Sequence, residues 1–380
     1  MEHTKKKGIG SDVMSGIKII DAGLLSSVQD QGRYGYQRYG VSTTGAMDEF
    51  ASRVANKLVE NEDNAAVIET TMKGITFELK GDCVFAITGG NCETTLNGKD
   101  IALWISHKGK AGDVVKMGMC RGGLRNYIAF AGGIDVPIVM NSRTTNLKAK
   151  LGGVDGRKLV IGDELKIGDK DISNIVLKKF NKNEIPTFPK ELEIRVILGQ
   201  QVAEFTDNGV KTFLNNTYSI TNESDRMGMR LSGEVIEHKT SADIISDGMT
   251  IGAVQVPGNG QPIIMMADRQ TTGGYTKIAN VITVDLPLLA QAMPGSKIKF
   301  VEISTREAVE LLRKREEMLS KGENFPERFP KRKTGPLSTL PYKERNDACS
   351  TYKLKIKDKE FTVKMKEKEY KELIEIFKDI

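Results

Sequence analysis

Cysteine and histidine are scarce in this chain, and what there is of them is scattered. The four cysteines, Cys83, Cys92, Cys120 and Cys349, form no C-x-x-C pair, and the three histidines stand far apart at His3, His107 and His238. That spacing supports neither a disulfide framework nor a zinc site. Cys83 and Cys120 are expected as buried free thiols, and His107 and His238 as surface residues. Long apolar runs are missing too: Val84–Ile87 and Ile263–Ala267 are among the longest and are far too short to cross a bilayer. At the N-terminus, Lys5-Lys6-Lys7 leads into Gly8, Gly10, Ser11 and Asp12 instead of an apolar stretch. No secretory signal is expected, and the expected location is the cytoplasm, with no membrane partner. A Walker loop, G-x-S-x-G, H-E-x-x-H and a Rossmann fingerprint are all absent, and Gly273-Gly274-Tyr275-Thr276-Lys277 lacks the spacing that wraps a phosphate. The net charge of +6 draws heavily on the dense Lys and Arg between Lys331 and Lys371, while the centre is nearly balanced and carries no arginine–aromatic platform. A solvated basic tail is expected, and no nucleic-acid partner.

What the chain does contain is short β-like runs up to about residue 302. They include Ile17–Ile20, Ile75–Leu79, Cys83–Thr88, Ile101–Trp104, Asp113–Met117, Asn126–Ala131, Leu192–Leu198, Glu234–Glu237, Ile263–Ala267 and Lys297–Val301. Gly, Asn and Asp pairs such as Asn97-Gly98 and Gly162-Asp163 separate many of them, where positive φ is cheap. Helices are few, so barrels are expected and βαβ units are not.

Three helices have a mechanism. Met47, Phe50, Ala51, Val54, Ala55, Leu58 and Val59 recur at helical spacing, with Asp48 and Glu49 in the first turn. A second runs from about Asp285 to Met293, stopped by Pro294-Gly295. A third starts at an N-cap at Ser304 or Thr305 and runs to Gly322. A linker with Pro326, Pro330, Pro336 and Pro341 follows, and then alternating Tyr352, Leu354, Ile356 and Phe361, Val363, Met365 predict a hairpin. A short helix with Tyr370, Leu373, Ile374 and Phe377 is expected to close it.

Four polar and glycine-rich clusters stand out. The first is Val28-Gln29-Asp30-Gln31-Gly32-Arg33-Tyr34-Gly35, leading to Gly45-Ala46-Met47-Asp48. The second is Thr88-Gly89-Gly90-Asn91 with its companion Gly132-Gly133-Ile134-Asp135. The third is Ser224-Asp225-Arg226-Met227-Gly228-Met229-Arg230. The fourth is Gln255-Val256-Pro257, then Gly260-Gln261-Pro262, then Ala267-Asp268-Arg269-Gln270-Thr271-Thr272-Gly273-Gly274-Tyr275. Each has a bland reading as well as a chemical one. Asp30 and Arg33 can be a turn-stabilising ion pair, and the glycine pairs can be bulges or barrel corners. An unbroken polar run directly after an apolar strand, as at Asp268 to Tyr275, is costly for a mere loop.

Taken together, the clusters resemble the carboxyltransferase subdomain A and B family, also called allophanate hydrolase subunit 2, from about Ile17 to Val301. The D-R-Q-T-T-G-G-Y run carries this most specifically. The resemblance implies a mainly β fold of two cyclophilin-like barrels, at residues 17–180 and 190–303. Around them are expected a flexible N-terminus over 1–16, a helix over 304–322, a linker over 323–349, and a small appendage over 350–380.

The resemblance also implies the C-type component of an ATP-dependent 5-oxoprolinase. Such a complex opens 5-oxo-L-proline to L-glutamate with a B-type component carrying subdomains C and D and a separate A-type component, and the chain is inactive alone. Two other roles occur in the family: half of a biotin-dependent carboxyltransferase, with biotin on another chain, and a non-enzymatic antagonist of a kinase inhibitor. Asn146 stands where the family suggests an aromatic, which bears on substrate choice.

Opening a lactam that carries a carboxylate asks for guanidinium groups, for carboxylates that orient water, and for donors to a developing oxyanion. The catalytic candidates are Asp268, Arg269 and Asp30. The substrate-binding candidates are Arg226, Gln261, Gln270, Thr271, Thr272, Gly273, Gly274, Tyr275, Arg33, Gly89 and Gly90. No metal is expected, and ATP is the cofactor of the complex.

Overall fold

The computed structural model describes residues 15–328, 350–356 and 359–365. The chain divides into two compact units, Met1–Pro330 and Lys331–Ile380.

The first sheet of the larger unit has ten strands: β1 (Gly16–Asp21), β2 (Leu25–Gln29), β3 (Val67–Thr71), β4 (Thr76–Leu79), β5 (Cys83–Leu96), β6 (Lys99–Asp100), β7 (Ser106–Gly109), β8 (Val114–Phe130), β9 (Ile134–Asp135) and β10 (Glu164–Ile167). They run in the order β2-β3-β8-β4-β1-β10-β9, and β5 joins β8, β6 and β7 to nearly close the structure. The expected runs Asp113–Met117 and Asn126–Ala131 are the two ends of one strand, β8. Gly122-Gly123 between them reads as a turn, but Gly123 takes φ +82° inside a bulged ladder with β5, so the strand continues. Ile101–Trp104 is not a strand. Trp104 has φ +61°, and pairing with β5 starts beyond it, at Ser106.

Alternation along β5 and β8 explains why both are apolar on two faces. Phe85, Ile87, Ile128 and Phe130 point into the barrel core with Phe77 and Ile17. Val84, Ala86, Tyr127 and Ala129 face outward and are covered by helix α1 (Glu49–Leu58). That helix presents the stripe read from its sequence, with Phe50, Val54 and Leu58 buried, each worth about 1.5–3 kcal/mol. Asp48 caps it, its Oδ1 accepting the Ala51 N–H at 2.8 Å.

The second sheet is a closed barrel. Its strands are β11 (Glu191–Leu198), β12 (Thr217–Ile220), β13 (Gly228–Ser232), β15 (Ala253–Gln255), β16 (Ile263–Met265), β18 (Lys277–Val281) and β19 (Lys297–Glu302). It closes through a parallel pairing of β11 with β19, Glu191 opposite Lys297 through Val196 opposite Glu302. A separate ribbon pairs β14 (Asp243–Gly248) with β17 (Thr272–Tyr275). Glu234–Glu237, expected as a strand, is a loop. The barrel core is filled by Ile194, Tyr218, Val254, Ile264, Ile278 and Phe300.

Helix α2 (Asp207–Asn215) has no clear sequence signal, because Asn208 and Gly209 depress its propensity. Tertiary packing makes it: Phe213 stacks on Phe300 at 4.4 Å, and a Cβ on Gly209 would run into the Glu237 carbonyl. The two other expected helices are present as α3 (Leu286–Gln291) and α4 (Thr305–Ser320), the latter with a capping box between Ser304 and Glu307.

Two expectations need correction. The linker does not begin at residue 323, because Phe325 packs on Phe180 at 5.2 Å and the Asn324 backbone carbonyl accepts the Asn181 N–H at 2.8 Å. Nor are the histidines simple surface residues. His107 is 4% exposed and stacks on Phe85, and His238 lies against Phe205 with ring centroids 4.6 Å apart. Cys83 is a buried free thiol as expected, whereas Cys120 is only half-buried.

In the smaller unit, β20 (Ser350–Ile356) and β21 (Lys359–Met365) form an antiparallel hairpin, Ser350 opposite Met365. The helix expected after it, most of the linker, and residues 1–14 lie outside the described residues.

Candidate functional site

A cleft of about 670 Å³ opens on the second barrel and takes in five of the residues singled out from sequence: Gln261, Gln270, Gly273, Gly274 and Tyr275. Its walls come from β13, β15, β16 and the β14–β17 ribbon. Pairing of Gly273 with Asp247 lays the ribbon over Gln255. A Cβ on Gly273 would come within 2.7 Å of the Gln255 amide nitrogen, so any larger residue there would push the Gln255 side chain aside. Gln255 in turn donates to the Tyr275 carbonyl at 3.1 Å and fixes the ribbon. Gln261 is spent on the fold, accepting from the Gly233 N–H at 2.8 Å and donating to its carbonyl at 3.1 Å. Thr271 and Thr272 belong to the same run but do not line the cleft.

Two further lining residues matter for the chemistry: Arg230 comes from the third sequence cluster, and Thr221 had no signal in the sequence. Arg230, on β13, lines the cleft, and among the described residues no carboxylate pairs with its guanidinium. Thr221 keeps a buried hydroxyl with no hydrogen-bond partner, and its backbone N–H donates to the Arg230 carbonyl at 2.9 Å. The Gln270 amide is likewise uncommitted among the described residues. Lys148 also reaches the cleft and pairs with Asp225 at 3.1 Å, exposed to water. The arrangement is a partly apolar cavity with one guanidinium that no described carboxylate neutralises, several neutral donors, and the Glu223 carboxylate and the Lys148–Asp225 pair on its wall. It suits a small planar amide bearing one negative charge.

Arg226 and Asp268 are placed elsewhere. Arg226 Nε and a terminal nitrogen each donate to Asp268 at 3.0 Å, while other N–H groups reach Glu69 on β3 and, at 2.6 Å, the Gly45 carbonyl. Glu69 also accepts from the Tyr127 hydroxyl at 2.8 Å and the Met47 N–H at 2.8 Å. Gln291 on α3 donates to Asp48 at 2.8 Å and to the Arg125 carbonyl at 3.0 Å. The network is buried throughout and joins the two barrels.

Burial alone lowers the Arg226 pKa, but the Asp268 and Glu69 carboxylates outweigh it and hold the guanidinium above its ordinary value. Burial pushes Asp48 up to about 6, and it raises the Tyr127 phenol well above its usual range, helped by Glu69. Sequence reasoning missed Glu69. Its signal was a carboxylate inside the apolar strand Val67-Ile68-Glu69.

Arg269 is also a seam residue. Its Nε donates to the Met249 carbonyl and another nitrogen to Thr43 Oγ1, both at 3.1 Å. Ser42 Oγ donates to the Arg269 carbonyl at 2.7 Å, so a segment of the first barrel clamps the turn that starts the D-R-Q-T-T-G-G-Y run.

Asp30 and Arg33 do not form an ion pair with each other. Asp30 accepts from Gly32 N at 2.8 Å, from Ser142 Oγ at 2.8 and 2.9 Å, and from Arg143 N at 2.6 Å. Arg33, wholly buried, donates to the Val139 and Thr144 carbonyls at 3.0 Å. Both residues hold the 139–144 loop.

Gly89 and Gly90 sit on β5. Gly89 has φ +103° and lines a second cavity of about 480 Å³ with Trp104 and Phe188, apart from the cleft. Asn146 is buried, donating to Thr44 Oγ1 at 3.0 Å and accepting from Ala149 N at 2.9 Å, and it does not line the cleft.

Comparison with known proteins agrees with this architecture. The family described as "Carboxyltransferase domain, subdomain A and B" matches residues 39–302. The C subunit of 5-oxoprolinase from Escherichia coli K12 is 41% identical over 298 residues, covering 77% of this chain and 93% of that one. The protein of the same name from Haemophilus influenzae is 38% identical over 302 residues, covering 79% and 95%. Among solved structures, the K. lactis urea amidolyase superposes with a TM-score of 0.76 at 27% identity, over 90% of this chain and 22% of that one.

Proposed function

This chain belongs to the carboxyltransferase subdomain A and B family, and we propose that it serves there as the C subunit of an ATP-dependent 5-oxoprolinase. The complex would hydrolyse 5-oxo-L-proline to L-glutamate in the cytoplasm, together with the B subunit, which carries subdomains C and D, and an A subunit. The two bacterial relatives named as C subunits of 5-oxoprolinase, matched over nearly their whole length, favour this role. The geometric observation that carries it is Arg230, which no carboxylate among the described residues pairs, in a cleft that also presents the neutral Gln270, Thr221 and Tyr275 side chains.

In this reading Arg230 takes the carboxylate of the lactam, and that charged contact fixes which face of the ring is presented. The Gln270 amide, the Thr221 hydroxyl and the Tyr275 phenol are then placed to meet the ring N–H and carbonyl. ATP supplies the phosphoryl group that turns the carbonyl oxygen into a leaving group. The sequence has no phosphate-wrapping loop, so the nucleotide is assigned to another component of the complex. In this reading Arg226, Asp268 and Arg269 serve the fold and not the reaction, because they hold the turn from which β17 starts.

The likeness to a urea amidolyase supports a second reading, carboxyl transfer with biotin borne on another chain. The same guanidinium would then meet the transferred carboxylate. Purified combinations of the chain with its A and B subunits separate the two. Glutamate formed from 5-oxoproline and ATP by the assembled complex, and by no component alone, is the expected result. Carboxylation that needs a biotin carrier, with no glutamate formed, overturns it.

A further inference from the structure

Two thiols outside the cleft face each other across the ladder of the first barrel. Cys92 on β5 is the direct antiparallel partner of Cys120 on β8, just beyond the irregularity where Asn91 faces Gly122. The Cys120 N–H turns the other way and donates to the Met72 carbonyl at 2.7 Å, so it is not spent on Cys92. This marks a non-hydrogen-bonded pair, the kind whose Cα atoms lie about 4.5 Å apart with side chains close. A disulfide needs a Cα separation of about 4.4–6.8 Å, a range that takes in the spacing of pairs of this kind. Both side chains lie on one face: Cys92 is part of the barrel core and Cys120 packs against it. Both are free thiols.

We propose that Cys92 and Cys120 are a reversible dithiol/disulfide pair, oxidised by exchange with a small-molecule disulfide. One thiolate attacks the reagent, forming a mixed disulfide and releasing one small thiol. The second thiolate then attacks the protein sulfur, closing the Cys92–Cys120 bond and releasing the second small thiol, with both protein protons passing to solvent or to the departing thiolates.

Access exists from two sides, since Cys92 lines the cavity of about 480 Å³ and Cys120 is half-buried. The neighbouring Cys120 thiol lowers the Cys92 pKa, while Cys92 and burial raise that of Cys120, which makes Cys92 the first thiolate of the pair. Cys83 differs. It faces Gly109, and burial pushes its pKa up to about 12.

The reduced pair has structural work that oxidation would remove. Cys120 Sγ donates to Asn126 Oδ1 at 3.0 Å, and the Asn126 amide donates to the carbonyls of Thr88 at 3.2 Å and Gly90 at 2.5 Å. Closing the bond takes away the thiol proton and re-tensions the Gly89–Gly90 bend. The inference is independent of which substrate the cleft accepts.

The test treats the full chain with glutathione disulfide and then with dithiothreitol, reading intact mass and non-reduced peptide maps. The expected result is a loss of two hydrogens, a cross-linked Cys92–Cys120 peptide, full reversal by the reductant, and no modification of Cys83. Cys92→Ser and Cys120→Ser should each leave a glutathione adduct on the remaining thiol. A wild-type chain that keeps its adducts without closing the bond, that pairs either thiol with Cys349, or that stays unreacted overturns the proposal.

Discussion

Arg226 grips Asp268 with two parallel hydrogen bonds of 3.0 Å, and the pair lies buried between the barrels with Glu69 on its other side. Two carboxylates share one guanidinium there, so removing it leaves Asp268 without a counter-charge and Glu69 with only the Arg125 guanidinium, 3.9 Å away. Arg226→Met is therefore expected to cost about 3–5 kcal/mol and to lower the melting temperature by on the order of 10 °C. Activity per folded molecule should change little. Thermal melts and rates of the assembled complex check this, and a large loss of rate at unchanged melting temperature contradicts the structural role.

Arg230 is the contrasting case. Its guanidinium is exposed in the cleft and pairs with no described carboxylate, so the fold does not depend on it. Arg230→Gln should leave the melt unchanged and lower kcat/KM for 5-oxoproline by about 1.5–3 kcal/mol, roughly 10- to 150-fold. An uncharged lactam lacking the carboxylate should be insensitive to the substitution. Equal losses on both substrates would show that Arg230 does not bind that group.

These two arginines show where the sequence was readable. Both stand in the same run, Arg226-Met227-Gly228-Met229-Arg230, and both have the charge density of a site. What separates them is a partner distant in sequence, Glu69, and no local pattern reports that. Helix α1 was legible because its cap and apolar stripe are local. The β11–β19 closure was not, because it joins strands from opposite ends of the barrel. Likewise the cleft-lining glycine run was legible from its composition, while Thr221 had no signal at all. A lone threonine becomes notable only once its hydroxyl is seen buried and unpartnered.

His107 makes stability depend on pH. Its ring is stacked on Phe85, Nε2 faces the Ala102 carbonyl at 2.8 Å, and Nδ1 accepts from Arg328 at 3.2 Å. Burial lowers its pKa from 6.5 to about 4, with the Arg328 charge adding to this against the Ala102 hydrogen bond. Between those values the unfolded chain binds a proton that the folded chain refuses. The contribution is whole above pH 6.5 and is lost as pH falls towards 4, on the order of 3 kcal/mol in all. His107→Gln keeps a neutral donor for Ala102 and should flatten this dependence. Denaturant titrations of both proteins at about pH 7 and about pH 4.5 span most of the His range and measure it. An unchanged stability difference between the two pH values rules it out.

The last expectation concerns where the larger unit ends. Residues 322–328 look like linker in sequence, with Pro326 among charges, yet they are tied into the first barrel at several points. Phe325 packs on Phe180, which itself meets Phe50 and Trp104. Asn324 donates to the Met318 carbonyl at 2.9 Å, and its side-chain oxygen accepts from Asn181 at 3.1 Å. The Lys179 N–H donates to the Pro326 carbonyl at 3.0 Å, and Arg328 donates to the Ser106 carbonyl at 2.8 Å. Removing this segment uncovers Phe180, a loss of about 1.5–3 kcal/mol for the Phe325 ring alone, and strips partners from several backbone groups. A chain ending at Lys321 should therefore melt well below one ending at Arg328, by roughly 5 °C or more on the usual scale for domains of this size. The comparison holds everything beyond residue 328 constant, so the difference reports only the segment 322–328. Equal melting temperatures for the two truncations would mean that the aromatic contact adds nothing and that the boundary lies where the sequence first suggested.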